Sequence, residues 1–166
     1  MNLFKSSLLA VALLATAPMA MAAGTHSATM NVTLTLDNSC TVATTALNFN
    51  TQTTLATAID AATTLTVTCV STGPYTVAIS AGGGSGATFA SRKMTGPSTA
   101  TINYSLYSDA ARTTANVIGD GTTGNVTLAG SAAGPTTFNV YGRVFGSQNP
   151  KPAGVYNDTV TATVSF

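Results

Sequence analysis

The chain has 166 residues and a mass of 16.6 kDa, room for one domain. Charged residues make up only 7% of it and the formal net charge is +1, which excludes the basic footprint of a nucleic-acid binder. Glu is absent, Asp occurs five times and His once, so acid–base and metal chemistry have little material, while 32 Thr favour strands and turns over surface helices.

Residues 1–22 read as a secretory signal. Lys5 supplies a short positive region, and the run Leu8 to Ala17 has the length of a signal core but is too short to span a bilayer. Pro18 breaks the run, and Ala20-Met21-Ala22 is a small-residue cleavage site. The mature chain is expected to begin at Ala23 and to be formally neutral, with no later apolar run near the ~18 residues of a transmembrane helix. Export makes the cysteines readable. Cys40 and Cys69 are the only two, and an oxidising compartment favours pairing them. Closing that loop is worth about 3.6 kcal/mol in the chain-entropy picture. Free thiols or a metal pair fit less well, because two soft ligands without a nearby His do not make a zinc site.

The mature chain then reads as strands throughout. Residues 25–36 alternate without a fault: His26, Ala28, Met30, Val32, Leu34 and Leu36 on one side, Thr, Ser and Asn on the other. Period two over this length predicts a half-buried strand. Asp37-Asn38-Ser39 breaks it. A less regular strand is expected over Val42 to Phe49, and alternating ones at Thr64–Cys69, Tyr75–Ile79, Ile102–Tyr107, Val126–Leu128 and Phe138–Phe145. In the final face, Tyr156, Val160, Ala162, Val164 and Phe166 stand opposite Asn157 and a row of Thr and Ser. Gly- and Pro-containing turns separate these segments. The expected fold is all-β, a β-sandwich with no linker or internal repeat dividing it.

Candidate chemistry is sparse. Gly82–Gly86 lacks the Lys-Ser/Thr and the helix of a phosphate loop and reads as a flexible hairpin loop. His26 lies in the first mature residues, without a nucleophile or orienting acid, and reads as a terminal strand residue. Arg92-Lys93 reads as a solvated basic step, and Asp109 with Arg112 as a turn-fixing pair. Tyr104 and Tyr107 fall on opposite faces of a strand and form no stacking platform. The Asp residues near Gly are too scattered for a calcium loop. No catalytic set, cofactor or metal site emerges, and an enzyme is not expected.

The two ends of the mature chain carry the information. The clean run at 25–36 and the final strand ending at Phe166 can be two edge strands of a self-contained domain. Alternatively, the domain lacks its last strand and the first run serves a neighbour, because an open edge with an apolar groove aggregates unless another strand fills it.

In its motifs and their order the chain resembles the archaic (Csu-type) chaperone–usher pilins, which share the spore coat protein U domain. The stretches that carry the resemblance are the alternating run before Cys40, Leu47-Asn48-Phe49, Leu65-x-Val67-x-Cys69, and Tyr75–Ile79 with Gly82-Gly83-Gly84. Further on they are Arg92-Lys93-Met94, Tyr104–Arg112, Tyr141-Gly142-Arg143 and Pro152–Phe166. The resemblance implies an incomplete immunoglobulin-like β-sandwich, completed by a donor strand from a neighbouring subunit. It divides the chain into a signal peptide (1–22), an N-terminal donor strand (23–37) and a pilin domain (38–166). The donor residues would be Ala28, Met30, Val32, Leu34 and Leu36, with His26 able to extend the row. The acceptor groove, also the chaperone contact, would be edged by Val160, Ala162, Val164 and Phe166. Cys40 and Cys69 would be the intradomain disulfide.

The partners so implied are further copies of the chain in a head-to-tail polymer, a periplasmic chaperone, an outer-membrane usher, and a tip adhesin or minor pilins. The product would be an adhesive pilus on the bacterial surface, serving attachment and biofilm formation. A single domain with a donor strand fits a major shaft subunit, since a tip adhesin carries a second domain. Five buried apolar side chains could contribute roughly 5–12 kcal/mol before ordering costs. The competing reading is a secreted, self-complemented coat or carbohydrate-binding module, with loops 82–86 and 119–124 contacting sugars.

Overall fold

The computed structural model describes residues 24–122 and 124–166. The expected signal segment lies outside the described residues. Those described fall into two units, 24–35 and 36–166. In the first, the alternating run carries no strand and is exposed along its length, with Met30, Val32 and Leu34 at 83%, 86% and 90% of full exposure. The expected strand is thus present as a pattern but not as an element. A strand is held by ladder hydrogen bonds to a neighbour, and this run makes none.

The second unit holds eight strands: β1 (Cys40–Thr44), β2 (Ile59–Cys69), β3 (Tyr75–Ile79), β4 (Arg92–Thr95), β5 (Thr101–Tyr107), β6 (Leu128–Gly130), β7 (Gly134–Val144) and β8 (Ala162–Ser165). Two short 3-10 turns, Pro97–Thr99 and Thr114–Asn116, lie between them. The strands form a five-stranded sheet, β1-β2-β7-β5-β4, and a three-stranded sheet, β6-β3-β8. Every ladder is antiparallel. The longest runs from Ile59 opposite Val144 to Cys69 opposite Gly134. Leu65 and Val67 of β2 and Val140 and Val144 of β7 pack with Tyr104 and Leu106 of β5 against Tyr75, Val77 and Ile79 of β3. The outer face carries Thr, and Thr66 and Thr137 meet there through their hydroxyls at 3.2 Å. The chain is therefore the expected all-β immunoglobulin-like sandwich.

Cys40 and Cys69 sit directly opposite each other in the β1–β2 ladder and are disulfide-bonded. β1 is an edge strand of five residues, so the bridge and one ladder hold it in place. The strand expected over Val42 to Phe49 ends at Thr44. Beyond it, Leu47 and Phe49 fold over Gly142, where any Cβ would strike both side chains.

One expectation about charge is corrected. Arg92 is not solvated but wholly buried. Its Nε donates to the Ser80 carbonyl at 2.9 Å, Nη1 to Phe89 at 2.8 Å, and Nη2 to Ile79 and Ile118 at 3.1 and 2.7 Å. The planar fork of guanidinium donors suits such convergence, where a hydrated ammonium would not. Burial pushes its pKa down to about 10, which leaves it charged at neutral pH. Asp109 and Arg112 do fix their turn, through the backbone and not as an ion pair: the Arg112 N–H donates to the Asp109 carbonyl at 3.2 Å. Asp109 accepts from the Thr113 N–H and hydroxyl, whereas Arg112 reaches Asp60 at 3.3 Å and the carbonyl of Gly142 at 3.1 Å. Asp60 is held bidentately by Arg143 at 2.7 and 2.8 Å across the β2–β7 ladder.

Candidate functional site

β8 is the last strand of its sheet, and its only ladder among the described residues is with β3. Its other edge offers free N–H and C=O groups. Beside that edge lies a groove of about 340 Å³. One wall is the segment from Thr44 to Phe49. The opposite wall is the segment from Tyr156 to Ala162, and Leu65, Tyr104, Leu106, Val140 and Ile79 form the floor. The floor belongs to both sheets, so the groove opens directly onto the sandwich core.

The second wall is where the chain changes sheets. Asn157 exchanges backbone hydrogen bonds with Thr95 of β4, at 2.8 and 3.0 Å, in the larger sheet. Four residues later the Thr161 carbonyl accepts from the Ser80 N–H at 2.9 Å and the Thr161 N–H donates to the Ser80 hydroxyl at 2.9 Å, beside the smaller sheet. Between these anchors, Asp158 accepts at one oxygen from the N–H groups of Gly83 and Thr159, both at 2.8 Å, and at the other from the Tyr104 hydroxyl at 2.7 Å. Gly82 has φ +90°, and a Cβ there would collide with the carboxylate. Burial first, and then the Asp158 carboxylate, push the Tyr104 phenol well above its ordinary value, so it stays a donor. The same ring meets Phe49 of the other wall edge-to-face, centroids 6.3 Å apart. Tyr104 thus touches both walls.

The final face keeps its alternation along the groove. Val160, Ala162 and Val164 are half-buried against the core, while the Thr and Ser between them are exposed. Phe166 lies past the end of β8, outside the core and 58% exposed. Ala28, Met30, Val32 and Leu34 lie in the first unit and Leu36 opens the second. Seven large apolar side chains are strongly exposed among the described residues, and four of them are Met30, Val32, Leu34 and Leu36. Apolar exposure is therefore concentrated on one short alternating run. Sequence reasoning found this run and β8. It did not find Asp158 or Tyr104 as groove residues, since their partnership spans 54 residues of chain. Loop 82–86 is not a free hairpin tip: Asp158 binds it on one side, and the Lys93 ammonium donates to the Ser85 carbonyl at 3.2 Å on the other.

Comparison with known proteins agrees with this architecture. No curated protein matches the chain. Among solved structures, it is similar to a chain in the crystal structure of the CsuC–CsuE chaperone–tip adhesion subunit pre-assembly complex from archaic chaperone–usher Csu pili of Acinetobacter baumannii. The TM-score is 0.57 at 20% identity, over 80% of this chain and 40% of that one. The likeness is one of fold, and the chain spans less than half the length of that structure's chain. The Spore Coat Protein U domain matches residues 26–163, a span that takes in the exposed apolar run, the disulfide and both groove walls. The chain belongs to the Spore Coat Protein U domain family.

Proposed function

We propose that the chain is a structural subunit of a chaperone–usher pilus, exported through the periplasm and assembled on the bacterial surface. One observation carries this reading: an unpaired β8 edge beside an apolar groove, in a chain that also exposes an alternating apolar run. Residues 23–37 of one copy serve as the donor, and the groove of residues 38–166 of the next copy accepts it. Ala28, Met30, Val32, Leu34 and Leu36 enter the groove, while the backbone of the run completes the sheet at β8. Before assembly a periplasmic chaperone fills the same groove along Val160, Ala162, Val164 and Phe166. An outer-membrane usher exchanges that strand for the next subunit's. A tip adhesin or minor pilins cap the polymer. Membership of the Spore Coat Protein U domain family and the fold shared with the Csu complex support the reading.

The contact is head-to-tail and does not close on itself, so it generates a filament. The test is a surface fraction sheared from cells and run on SDS gels with and without boiling. Donor-strand polymers give a ladder at multiples of the ~14 kDa mature mass (about 144 residues at a low mean residue mass) that collapses on boiling. A soluble monomer under both conditions would instead favour the self-complemented secreted module. Val32→Asp or Leu34→Asp should remove the ladder while the subunit still co-purifies with its chaperone, because a carboxylate cannot enter an apolar groove unpaired. A normal ladder from either variant would count against the donor assignment.

A further inference from the structure

The groove has one charged side chain in its lining, and both its oxygens are hydrogen-bonded. Counting along the wall, Asp158 is in phase with Val160, Ala162 and Val164, so it belongs to the row facing the groove. Its oxygens accept three hydrogen bonds, from Gly83, Thr159 and Tyr104. The glycine run opposite is shaped for it, with Gly82 at positive φ and no room for a Cβ. Gly84 is equally constrained, because a Cβ there would meet the Lys93 backbone. The glycine-rich loop therefore cradles an internal anion, the Asp158 carboxylate, and fixes it against β4. Through Tyr104 the same carboxylate is linked to Phe49 on the far wall.

We propose that Asp158, seated in the Gly82–Gly83 cradle and bonded to Tyr104, is the positioning residue that holds the sheet-switching wall in place for the incoming strand. This rests on the reading of the groove as a strand acceptor. The backbone anchors at Asn157 and Thr161 fix the ends of the switch, and Asp158 is the side chain that fixes its middle. Without it, the wall around Val160 is free to settle into the open groove and cover the β8 edge.

The experiment uses the full mature chain carrying Leu34→Asp, so that its own run cannot dock, and a synthetic peptide of residues 24–37 as the probe. Peptide affinity is measured well below the unfolding midpoint. The expected result is that Asp158→Ala weakens binding about tenfold or more, the scale of a lost charge-assisted hydrogen-bond set. Asp158→Asn, which can still accept from the two N–H groups, should restore binding to within about twofold. Val67→Ala, a core truncation away from the groove, should lower the unfolding midpoint without weakening binding. Equal binding by Asp158→Ala and its parent would overturn the positioning role and leave the acceptor reading standing. So would a loss of affinity in Val67→Ala as large as that in Asp158→Ala, since stability alone would then explain it. Failure of the parent chain to bind the peptide would overturn the acceptor reading and the proposal together. Should Asp158→Ala not fold, Tyr104→Phe decides: it keeps the ring in the core, removes the hydroxyl, and is expected to cost about threefold or more. No loss there would overturn the proposal.

Discussion

Arg92 shows how much a single side chain can be asked to hold. It lies at the junction of β3, β4 and the 117–119 segment, and its guanidinium serves four carbonyls without a carboxylate in contact. Replacing it by Met fills similar space but leaves those buried acceptors unpaired. The expected cost is on the order of 2–4 kcal/mol, read as a lower urea midpoint with an unchanged slope. Asp60 is a contrasting case on the surface. The Arg143 hydrogen bonds hold its carboxyl below the usual carboxylate value; burial opposes them, and the charges of Arg112 and Arg143 add to the lowering. The native pKa is thus lower than the unfolded one. The pairing contributes stability above the ordinary carboxylate value and loses it as pH falls through the native pKa. Asp60 keeps 40% of its side-chain exposure, so the effect is about 1 kcal/mol or less. Thermal melts of the native chain and of Asp60→Asn at about pH 6 and about pH 3 should differ more at the higher pH. An equal difference at both would show that the pair contributes nothing through its charge.

Among the elements, legibility followed locality. β3 was readable to the residue, because Tyr75, Val77 and Ile79 alternate between clear turns. β2 extends five residues earlier than its alternation suggested, since Ile59–Thr63 is mostly Ala and Thr and is held by pairing with β7 rather than by its own pattern. The strand read at Val42–Phe49 failed past Thr44 because Gly142 opens a space that takes Leu47 and Phe49 out of the ladder. The run at 25–36 has the strongest pattern in the chain and no strand, since pattern reports a face to be buried and not a partner to bury it. Arg92 and Asp158 were invisible for the same reason: their partners converge from separate strands and loops. The disulfide could be anticipated from export, and its energetic role follows from the element it serves. β1 is short, at an edge, and continues into a groove wall. Cys40→Ser should cost about 2–4 kcal/mol and lower the yield of subunit recovered from the periplasm. Unchanged yield and an unchanged midpoint would mean that the β1–β2 ladder suffices without the bridge.

At the scale of the whole molecule, the proposed function assigns a face and its cover to different parts of the chain. β8 has an unpaired edge among the described residues, and the most exposed apolar residues lie on an alternating run. On the proposed function, a chain that supplied its own cover would gain stability but lose the ability to polymerise. Moving residues 28–36 from the amino-terminal end to a position after Phe166, through a short Asp-Gly turn, tests this directly. A tight turn returns the chain antiparallel to β8, where a hairpin partner would sit. The rearranged chain is expected to be monomeric by size exclusion and to melt well above the native-order subunit. The gain comes from burying the run's own exposed side chains, from covering the half-buried Leu47, Phe49, Val160 and Ala162 of the groove walls, and from pairing the free edge. The same appended run carrying Leu34→Asp should lose most of that gain, which separates groove filling from a mere lengthening of the chain. A rearranged chain that stays at the native-order melting point would mean that the β8 edge does not accept this strand, and the head-to-tail filament would lose its physical basis.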